Sequence, residues 1–410
     1  MNIGLFTETY YPEINGVAAS VYVLKEGLEK QGHNVYVFTT TSPNAPQSEK
    51  NVYRVHSLPC ILISDRRVGL LYQRKIAAAI KKLKLDIIHT NTEFSLGVFG
   101  RIMAKELKIP IIHTYHTIYE DYTHYVTKGI VFDQKAKKAV RLFSKVCCNK
   151  ADEVIVPTDK VKEILQNYHV TRSIEVIPTG INLDKFDERN YSKEQLVGLR
   201  ASYGIKENDK VILYLGRVSR EKNIQELLKY MPGYLGGHKD VKFVLVGDGP
   251  DGERLREYAR SLSCSNQILF IGERPYDEVG QYYQIGDVFV SASNSETQGL
   301  TFIEAMASGL PVVAKEDRCL EGIMKEGNNG HFFRSEKEFH SALDNILYSG
   351  RQEEYSECAK QTAHRFSTQE FANEILHVYE NVLMRREENE YDREGQEVDN
   401  TESNLIACRK

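Results

Sequence analysis

Short apolar runs alternate with helical patterns twice along this chain of 410 residues, and this repeated alternation limits the folds that it can adopt. In the first half, NIGLFT, NVYVFTT, DIIHTNT, IPIIHTY and EVIVPT are nearly continuous apolar runs rich in β-branched residues. Such runs are typical of strands that are buried on both faces. The stretches between them, such as SVYVLKEGLEKQGH, have apolar residues at helical spacing. This pattern predicts a parallel sheet covered by helices on both faces.

A second alternation follows, in which KVILYLGR, VKFVLVGDG, QILFIG, DVFVSAS and PVVA are the predicted strands. The chain is therefore predicted to be an α/β protein with two doubly wound parallel-sheet domains that face across a cleft. We expect an N-terminal domain over residues 1–180 and a C-terminal domain over 181–367. The helical pattern at about 368–386 can pack back onto the first domain. Residues 387–410 are polar and nearly patternless, which predicts a disordered tail.

The charge is distributed unevenly between the two halves. Residues 1–180 hold 24 Lys and Arg against 17 Asp and Glu, so the rest of the chain is acidic although the total is only −4. A basic first half is expected to face an anionic partner, either nucleic acid or a membrane surface. The sequence shows neither a membrane-spanning apolar run nor a signal peptide. Seven scattered cysteines are typical of reduced thiols, which indicates a cytoplasmic protein.

The stretch SNSETQGLTFIEAMASG places two glutamates, Glu296 and Glu304, around a predicted helix start with no basic residue between them. Gly299 permits close backbone approach, and its amide lies with those of Leu300 and Thr301 where free N–H groups bind phosphate. Two unpaired carboxylates near a phosphate site favour a ligand in which two sugars flank a diphosphate. Two solvated surface charges are the alternative interpretation.

Three further loops follow predicted strands and supply polar groups to the cleft. LGRVSREKN presents Arg217 and Lys222, which can grip a diphosphate unless they form only a solvated basic turn. In the first loop, Asn15 and Gly16 can turn backbone N–H groups toward an anion. HTYHTIYEDYTHYV contains three histidines, among them His116, so a zinc site is conceivable. We favour a polar contact from this loop to the substrate.

VLVGDGPDGERL contains a literal G-x-G-x-x-G at Gly247, Gly249 and Gly252, between a predicted strand and a predicted helix. The pattern is typical of dinucleotide-binding oxidoreductases, and an acidic residue ends the next strand. Asp248 and Pro250 argue against that function, because they crowd the turn where a pyrophosphate needs free N–H groups and no negative charge.

These segments together resemble the retaining glycosyltransferases of the GT-B type, which carry a Glu-x7-Glu motif matched here by Glu296 and Glu304. The likeness covers the chain up to its tail and includes the NG loop, the histidine of HTYHT, the Arg217 and Lys222 pair and GDGP. The motif reads E-T-Q-G here, whereas E-G-F-G is most common in the family. Within the family, HTYHTIYEDYTHYV and SASNSETQGLTFIEAMASG resemble the bacterial 1,2-diacylglycerol 3-alpha-glucosyltransferases.

The resemblance implies that a hexose, with glucose as the first candidate, moves from a UDP-sugar to the 3-hydroxyl of diacylglycerol. Arg217 and Lys222 would neutralise the leaving diphosphate, and the amides of residues 299–301 would bind its phosphate. Glu304 would contact the ribose and Glu296 the transferred sugar. Cations that stabilise the charge developing on the leaving group would supply the catalysis.

The resemblance also assigns groups on the acceptor side. His116 would contact the sugar near the reacting centre, and Gly16 would let the first domain approach donor and acceptor. The donor is UDP-glucose or a related nucleotide sugar, with no bound cofactor and no metal site. Whether a divalent metal stimulates the reaction is left open.

QRKIAAAIKKLK places basic residues around an apolar stripe, and KGIVFDQKAKKAVRLFSKVCCNK repeats the arrangement. With a lipid acceptor, these segments would rest on the anionic inner face of the cell membrane and make the enzyme a peripheral membrane protein. Solvated helix faces are the alternative. The residues expected to face the membrane are Arg74, Lys75, Lys81, Lys82 and Lys84.

Other functions stay open at this point. A transferase that acts on another lipid is one alternative. A transferase with a soluble sugar as acceptor would keep the donor site but lose the preference for a membrane. A non-catalytic protein could use the same cleft as a receptor for sugar nucleotides. With the resemblance, the expected partners are a nucleotide sugar, diacylglycerol and an anionic membrane surface, and nucleic acid is not among them.

Overall fold

The fold was obtained as a computed structural model that describes residues 1–407 except 14, 44, 47, 60–66, 123–132 and 294. Two parallel sheets form the centres of two domains, and apolar clusters lie on both faces of each sheet. This architecture confirms the predicted fold class of two doubly wound α/β domains.

Seven parallel strands form the first sheet: β1 (Asn2–Phe6), β2 (Asn34–Thr40), β3 (Val52–Val55), β6 (Ile87–Thr90), β7 (Ile111–Thr114), β8 (Glu153–Val156) and β9 (Ile174–Val176). A small antiparallel hairpin, β4 (Ser57–Pro59) and β5 (Arg67–Gly69), lies between β3 and β6 in the chain. The strand order is β3-β2-β1-β6-β7-β8-β9, so the direction of winding reverses between β1 and β6. Ligands bind at the carboxyl ends of strands at such a switch point.

The helices of the first domain are α1 (Gly16–Lys30), α2 (Arg74–Leu83), α3 (Ser95–Leu107), α4 (Asp133–Asn149) and α5 (Asp159–Asn167). Helix α1 begins immediately after the loop that follows β1, because the side chain of Asn15 accepts a hydrogen bond from the Ala18 N–H and caps its first turn. The start of α1 therefore lies at the switch point.

Six parallel strands form the second sheet: β10 (Lys210–Leu215), β11 (Val241–Val246), β12 (Ile268–Gly272), β13 (Val288–Ser291), β14 (Val312–Lys315) and β15 (Gly330–Phe333). Their order is β12-β11-β10-β13-β14-β15, which puts the reversal between β10 and β13. The associated helices are α6 (Lys193–Ser202), α7 (Ile224–Leu235), α8 (Gly252–Arg260), α9 (Val279–Gln284), α10 (Leu300–Ala307), α11 (Glu336–Leu347) and α12 (Gln352–His364). The loops after β10 and β13 contain the two predicted donor-binding motifs.

The last helix, α13 (Thr368–Ala407), returns to the first domain. Its residues Phe371, Ile375 and Tyr379 are buried against α1 and β1, and the Tyr379 hydroxyl is 2.7 Å from Nδ1 of His89. The helix continues through residues 387–407, where the sequence predicts a disordered tail. The six glutamates of residues 387–407 are good helix formers, which favours the helix. Across the described part of the chain, no helix has the length and apolarity needed to cross a membrane.

Candidate active site

The two switch points face each other across the cleft. A Cβ atom at Gly16 would lie 3.8 Å from Cδ1 of Leu300, so the start of α1 nearly touches the start of α10. A larger side chain at residue 16 would occupy the space between the two helix N-termini. The two ends that the sequence predicts to bind an anion are therefore brought together.

The loop before α10 needs glycine at residue 299. Gly299 has a φ of +78°, and a Cβ there would lie 2.4 Å from the ring of Phe302. The N–H of Phe302 donates to the Gly299 carbonyl, whereas the amides of Gly299, Leu300 and Thr301 have no acceptor among the described residues. These three donors at the positive end of a helix dipole form the predicted anion site.

Glu296 is paired with a lysine from a different loop. Nζ of Lys222 is 2.6 Å from Oε1 of Glu296, and their side chains are 22% and 11% exposed. The expectation that Glu296 lacks a basic partner is therefore wrong, because the loop after β10 supplies one. The pair places a cation and a carboxylate side by side at the switch point of the second sheet.

Arg217 is exposed and lies on the same loop as Lys222. Its carbonyl accepts a hydrogen bond of 3.0 Å from the Tyr214 hydroxyl, which fixes the backbone. Its guanidinium makes no hydrogen bond or ion pair with any residue that the structure describes. A free guanidinium beside a paired lysine gives the mouth of the cleft a positive charge.

The glycines of G-x-G-x-x-G serve backbone packing. A Cβ at Gly247 would lie 2.0 Å from the carbonyl oxygen of Gly216, and one at Gly249 would lie 2.4 Å from that of Val218. The Gly249 N–H donates to Oδ1 of Asp248 at 2.8 Å, so it is not available to a pyrophosphate. The motif therefore supports the loop that carries Arg217, and the dinucleotide interpretation is not supported.

Glu304 is buried and held by two tyrosines. The Tyr283 hydroxyl donates to it at 2.8 Å and the Tyr276 hydroxyl lies at 3.5 Å. Burial raises the pKa of Glu304 to about 7, although the bond from Tyr283 and the charge of Lys185 oppose the rise. The expectation of a free carboxylate is wrong here too, because α9 and the turn before it cover the side chain. Each carboxylate oxygen of Glu304 has a further lone pair, which can accept a hydrogen bond from a hydroxyl group.

His116 lies on the opposite wall, after β7. Its Nε2 is 3.0 Å from Oδ1 of Asn91, which follows β6. Burial, with a smaller contribution from neighbouring His113, lowers the pKa of His116 to about 3, so the ring is neutral near pH 7. A neutral imidazole held by an amide can exchange hydrogen bonds with a sugar without adding charge.

Behind His116 lies a buried polar cluster that the sequence does not single out. His113 is 3.4 Å from Oε1 of Glu93, and the Tyr119 hydroxyl donates to Oε2 of the same carboxylate. Glu8, after β1, accepts hydrogen bonds from Ser95 and from the start of α3, and its Oε2 has no partner within the described residues. Their common position after a strand of the first sheet is the signal that could have identified Glu8 and Glu93.

The histidines do not form a metal site in the part of the chain that the structure describes. His113 is hydrogen-bonded to Thr90 and lies 3.4 Å from Glu93, and His116 is hydrogen-bonded to Asn91. No group of three or more potential metal ligands lies together among these residues. His124, which the sequence groups with them, lies outside the described residues.

The predicted membrane-facing residues lie on the exposed face of α2 and at its end: Arg74, Lys75, Lys81, Lys82 and Lys84. Lys81 is 3.1 Å from Oε2 of Glu106 on α3. The structure thus places all five on the outer surface of the first domain.

The two domains match two known protein families. Residues 14–185 match Glycosyltransferase Family 4, and residues 198–365 match Glycosyl transferases group 1. The chain is 42% identical over 345 residues to the alpha-monoglucosyldiacylglycerol synthase of Streptococcus pneumoniae, which covers 84% of this chain and 77% of that protein. It is 36% identical over 351 residues to the synthase of the same name from Acholeplasma laidlawii, over 84% of this chain and 88% of that protein.

Solved structures share the fold. HepE of Anabaena in complex with UDP-glucose superposes with a TM-score of 0.74 at 18% identity, over 93% of this chain and 100% of that chain. WaaG, a glycosyltransferase of lipopolysaccharide biosynthesis, superposes with a TM-score of 0.66 at 15% identity, over 92% of this chain and 99% of that chain. Two facing α/β domains with the motifs at their switch points define a GT-B enzyme. The chain belongs to the glycosyltransferases, with a family 4 domain followed by a group 1 domain.

Proposed function

We propose that this glycosyltransferase moves a hexose, with glucose as the first candidate, from a UDP-sugar to the 3-hydroxyl of diacylglycerol with retention of configuration. The product would be a monoglycosyl-diacylglycerol. The names of the relatives from S. pneumoniae and A. laidlawii support the acceptor class, and the HepE complex supports the donor. The observation that carries the proposal is the Lys222–Glu296 pair beside the free amides at the start of α10.

The donor would bind to the second domain. The amides of residues 299–301 donate hydrogen bonds to a phosphate, and the exposed Arg217 and the Lys222 ammonium neutralise the diphosphate. Glu304, within reach of the same helix start, accepts hydroxyl hydrogen bonds from the ribose. Because Lys222 already contacts Glu296, the diphosphate and the sugar that Glu296 holds would meet at this lysine. The positive charge there stabilises the leaving group as the bond from sugar to phosphate breaks.

The acceptor would approach from the first domain. Gly16 leaves space between the two helix starts, and the neutral His116 contacts the sugar near its reacting carbon. The acceptor oxygen forms its bond to that carbon on the face from which UDP departs. The departing phosphate oxygen takes the hydroxyl proton, so the reaction needs no protein carboxylate as nucleophile.

A lipid acceptor requires the first domain to rest on the membrane, and we propose the anionic inner face of the cell membrane. Helix α4 exposes Leu142, Phe143 and Val146 at 63%, 37% and 43%. Phe143 stacks on the half-exposed Phe94 with ring centroids 5.6 Å apart. Lysines of α4 flank these apolar side chains along the helix, and α2 carries a further basic face on the same domain. Apolar side chains flanked by cations support contact with an anionic leaflet.

The test is incubation of the full chain with radiolabelled UDP-glucose or UDP-galactose, presented with diacylglycerol in anionic liposomes or with soluble sugars. We expect a glucosylated lipid with an α-linkage, as read by product separation and by the anomeric coupling in NMR. Faster transfer to a soluble sugar would remove the lipid from the proposal. A β-linked product would remove retention.

A further inference from the structure

The loop that begins the Glu-x7-Glu motif is held by the first domain. Nζ of Lys160 donates to the Glu296 carbonyl at 3.0 Å, and the Thr158 hydroxyl donates to the Thr297 carbonyl at 2.7 Å. The side chain of Gln298 makes two bonds with the backbone of Thr179, at 2.8 Å and 2.9 Å. Three consecutive residues of a second-domain loop are therefore bonded to elements outside that domain's sheet.

Gln298 is one of the two residues, with Thr297, at which this chain departs from the common E-G-F-G form of the motif. Its side chain is buried, and it both donates to the Thr179 carbonyl and accepts from the Thr179 N–H. Thr179 lies in the segment that joins the two domains. A phenylalanine could make neither bond, so the glutamine couples the donor loop to the joint between the domains.

Lys160 adds a charged contact to the same loop. Its ammonium lies 2.7 Å and 2.9 Å from the two carboxylate oxygens of Asp317, and the pair is mostly buried. Asp317 also accepts from the Cys319 N–H, so its position is fixed. Lys160, on the first turn of α5, thus connects this anchored carboxylate to the backbone of Glu296.

We propose that Lys160, Thr158 and Gln298 are positioning residues, which complete the donor site only when the two domains are closed on each other. The inference rests on the proposed function, because it concerns the same donor site. The loop fixes where the Glu296 carboxylate points, and Gln298 immediately precedes the free amides at the start of α10. With these bonds lost, the loop would relax, and the sugar would sit away from the reacting geometry.

A second contact between the same elements provides a matched control. Arg318 makes two hydrogen bonds with Glu163 of α5, at 2.7 Å and 2.8 Å, and both side chains are about half exposed. This pair joins the two domains beside Lys160 but does not touch residues 296–298. If Lys160 acted only by holding the domains together, loss of Glu163 would have a similar effect.

The experiment compares Lys160→Met, Gln298→Leu, Lys160→Arg and Glu163→Gln in the full chain. We expect kcat for transfer from UDP-glucose to fall about 10- to 100-fold in the first two, because misplacement by about 1 Å is costly. Calorimetric UDP affinity should fall by a smaller factor than kcat, because Arg217 and Lys222 still hold the diphosphate although the amides of residues 299–301 are less well fixed. Lys160→Arg should recover most of kcat, and Glu163→Gln should match the wild type.

Retention of wild-type kcat by both Lys160→Met and Gln298→Leu would overturn the inference, as would an equal loss in Glu163→Gln. Hydrogen exchange of the backbone amides at residues 295–305, measured without ligand, gives a readout that does not need activity. Exchange should be faster in Lys160→Met and Gln298→Leu but not in Glu163→Gln, and equal exchange in all variants would contradict the proposal. A wild type that transfers no sugar from UDP-glucose would refute the proposed function alone.

Discussion

At the scale of single residues, each carboxylate of the Glu-x7-Glu motif has its own environment. Glu296 is bound to a lysine, whereas Glu304 is buried beneath two tyrosines. The first forms an ion pair, whereas burial raises the pKa of the second to about 7. Two residues of the same type in one motif are therefore expected to respond differently to substitution and to pH.

Replacement of Glu296 by glutamine should lower kcat about 100-fold or more while UDP binds almost as before. The carboxylate is assigned to the sugar, and its loss also removes the ion pair with Lys222. Rates and calorimetric titration with UDP separate the two effects. Arg217→Ala is the comparison, because removal of a group assigned to the diphosphate should lower kcat and also weaken UDP binding. Full activity in Glu296→Gln would refute the assignment to the sugar.

Glu304 should make stability depend on pH. Its pKa is raised from 4.5 to about 7 in the folded chain, so its contribution is fully present below pH 4.5 and is lost as pH rises through 7. We expect the free energy of unfolding to fall by on the order of 1–3 kcal/mol across this window through this group. In Glu304→Gln the fall should be smaller when denaturant unfolding is compared at pH 5 and pH 8. If the free energy of unfolding fell equally between pH 5 and pH 8 in the wild type and in Glu304→Gln, the raised pKa of Glu304 would be contradicted.

At the scale of elements, the start of α10 has a backbone conformation that favours glycine at residue 299. Gly299→Ala should destabilise the fold and weaken UDP binding, because the new methyl group meets the Phe302 ring and a positive φ is unfavourable for alanine. The expected loss is about 1–4 kcal/mol, measured by denaturant unfolding. Gly322→Ala is the matched control, since Gly322 has a φ of +74° and open space around it. It should lose less stability and keep UDP affinity.

The elements also show what can be predicted from a sequence of this kind. Long apolar runs such as those of β1 and β10 identify the central strands, because burial on both faces leaves little room for polar residues. Edge strands such as β3 and β15 are short and mixed in composition, so they carry no such signal. The family and the positions of the motifs follow from residues that are local in sequence.

The partners of those motifs could not be predicted in the same way. Lys222 and Glu296 are separated by 74 positions, and Tyr283 precedes Glu304 by 21. Such pairings depend on which strands are neighbours and on how loops cover a side chain. The pKa of Glu304 follows from its burial, which no local pattern reports.

At the scale of the whole molecule, binding to membranes should depend on both charge and apolar contact. Leu142→Ser combined with Phe143→Ser should weaken sedimentation with anionic liposomes about tenfold or more, because two apolar side chains no longer enter the leaflet. Added salt should weaken binding of the wild type as exposed charges are screened. Met384→Ser is the control, since Met384 is 52% exposed but belongs to a different helix, α13. Equal binding of the wild type to neutral and anionic liposomes would contradict the expected contribution of charge to membrane binding.

The return of α13 to the first domain means that the chain crosses between the domains twice. The crossings run side by side, since the Ile181 N–H donates to the Phe366 carbonyl at 2.8 Å and Ile181 pairs with Ser367. Two adjacent crossings behave as a hinge with one favoured axis, whereas a single linker would allow the domains to swivel. A fragment that ends at residue 180 would also expose the apolar surface that Phe371 and Tyr379 cover. Cleavage of the chain after residue 180 therefore does not give two intact domains. Any opening of the cleft must bend both crossings together.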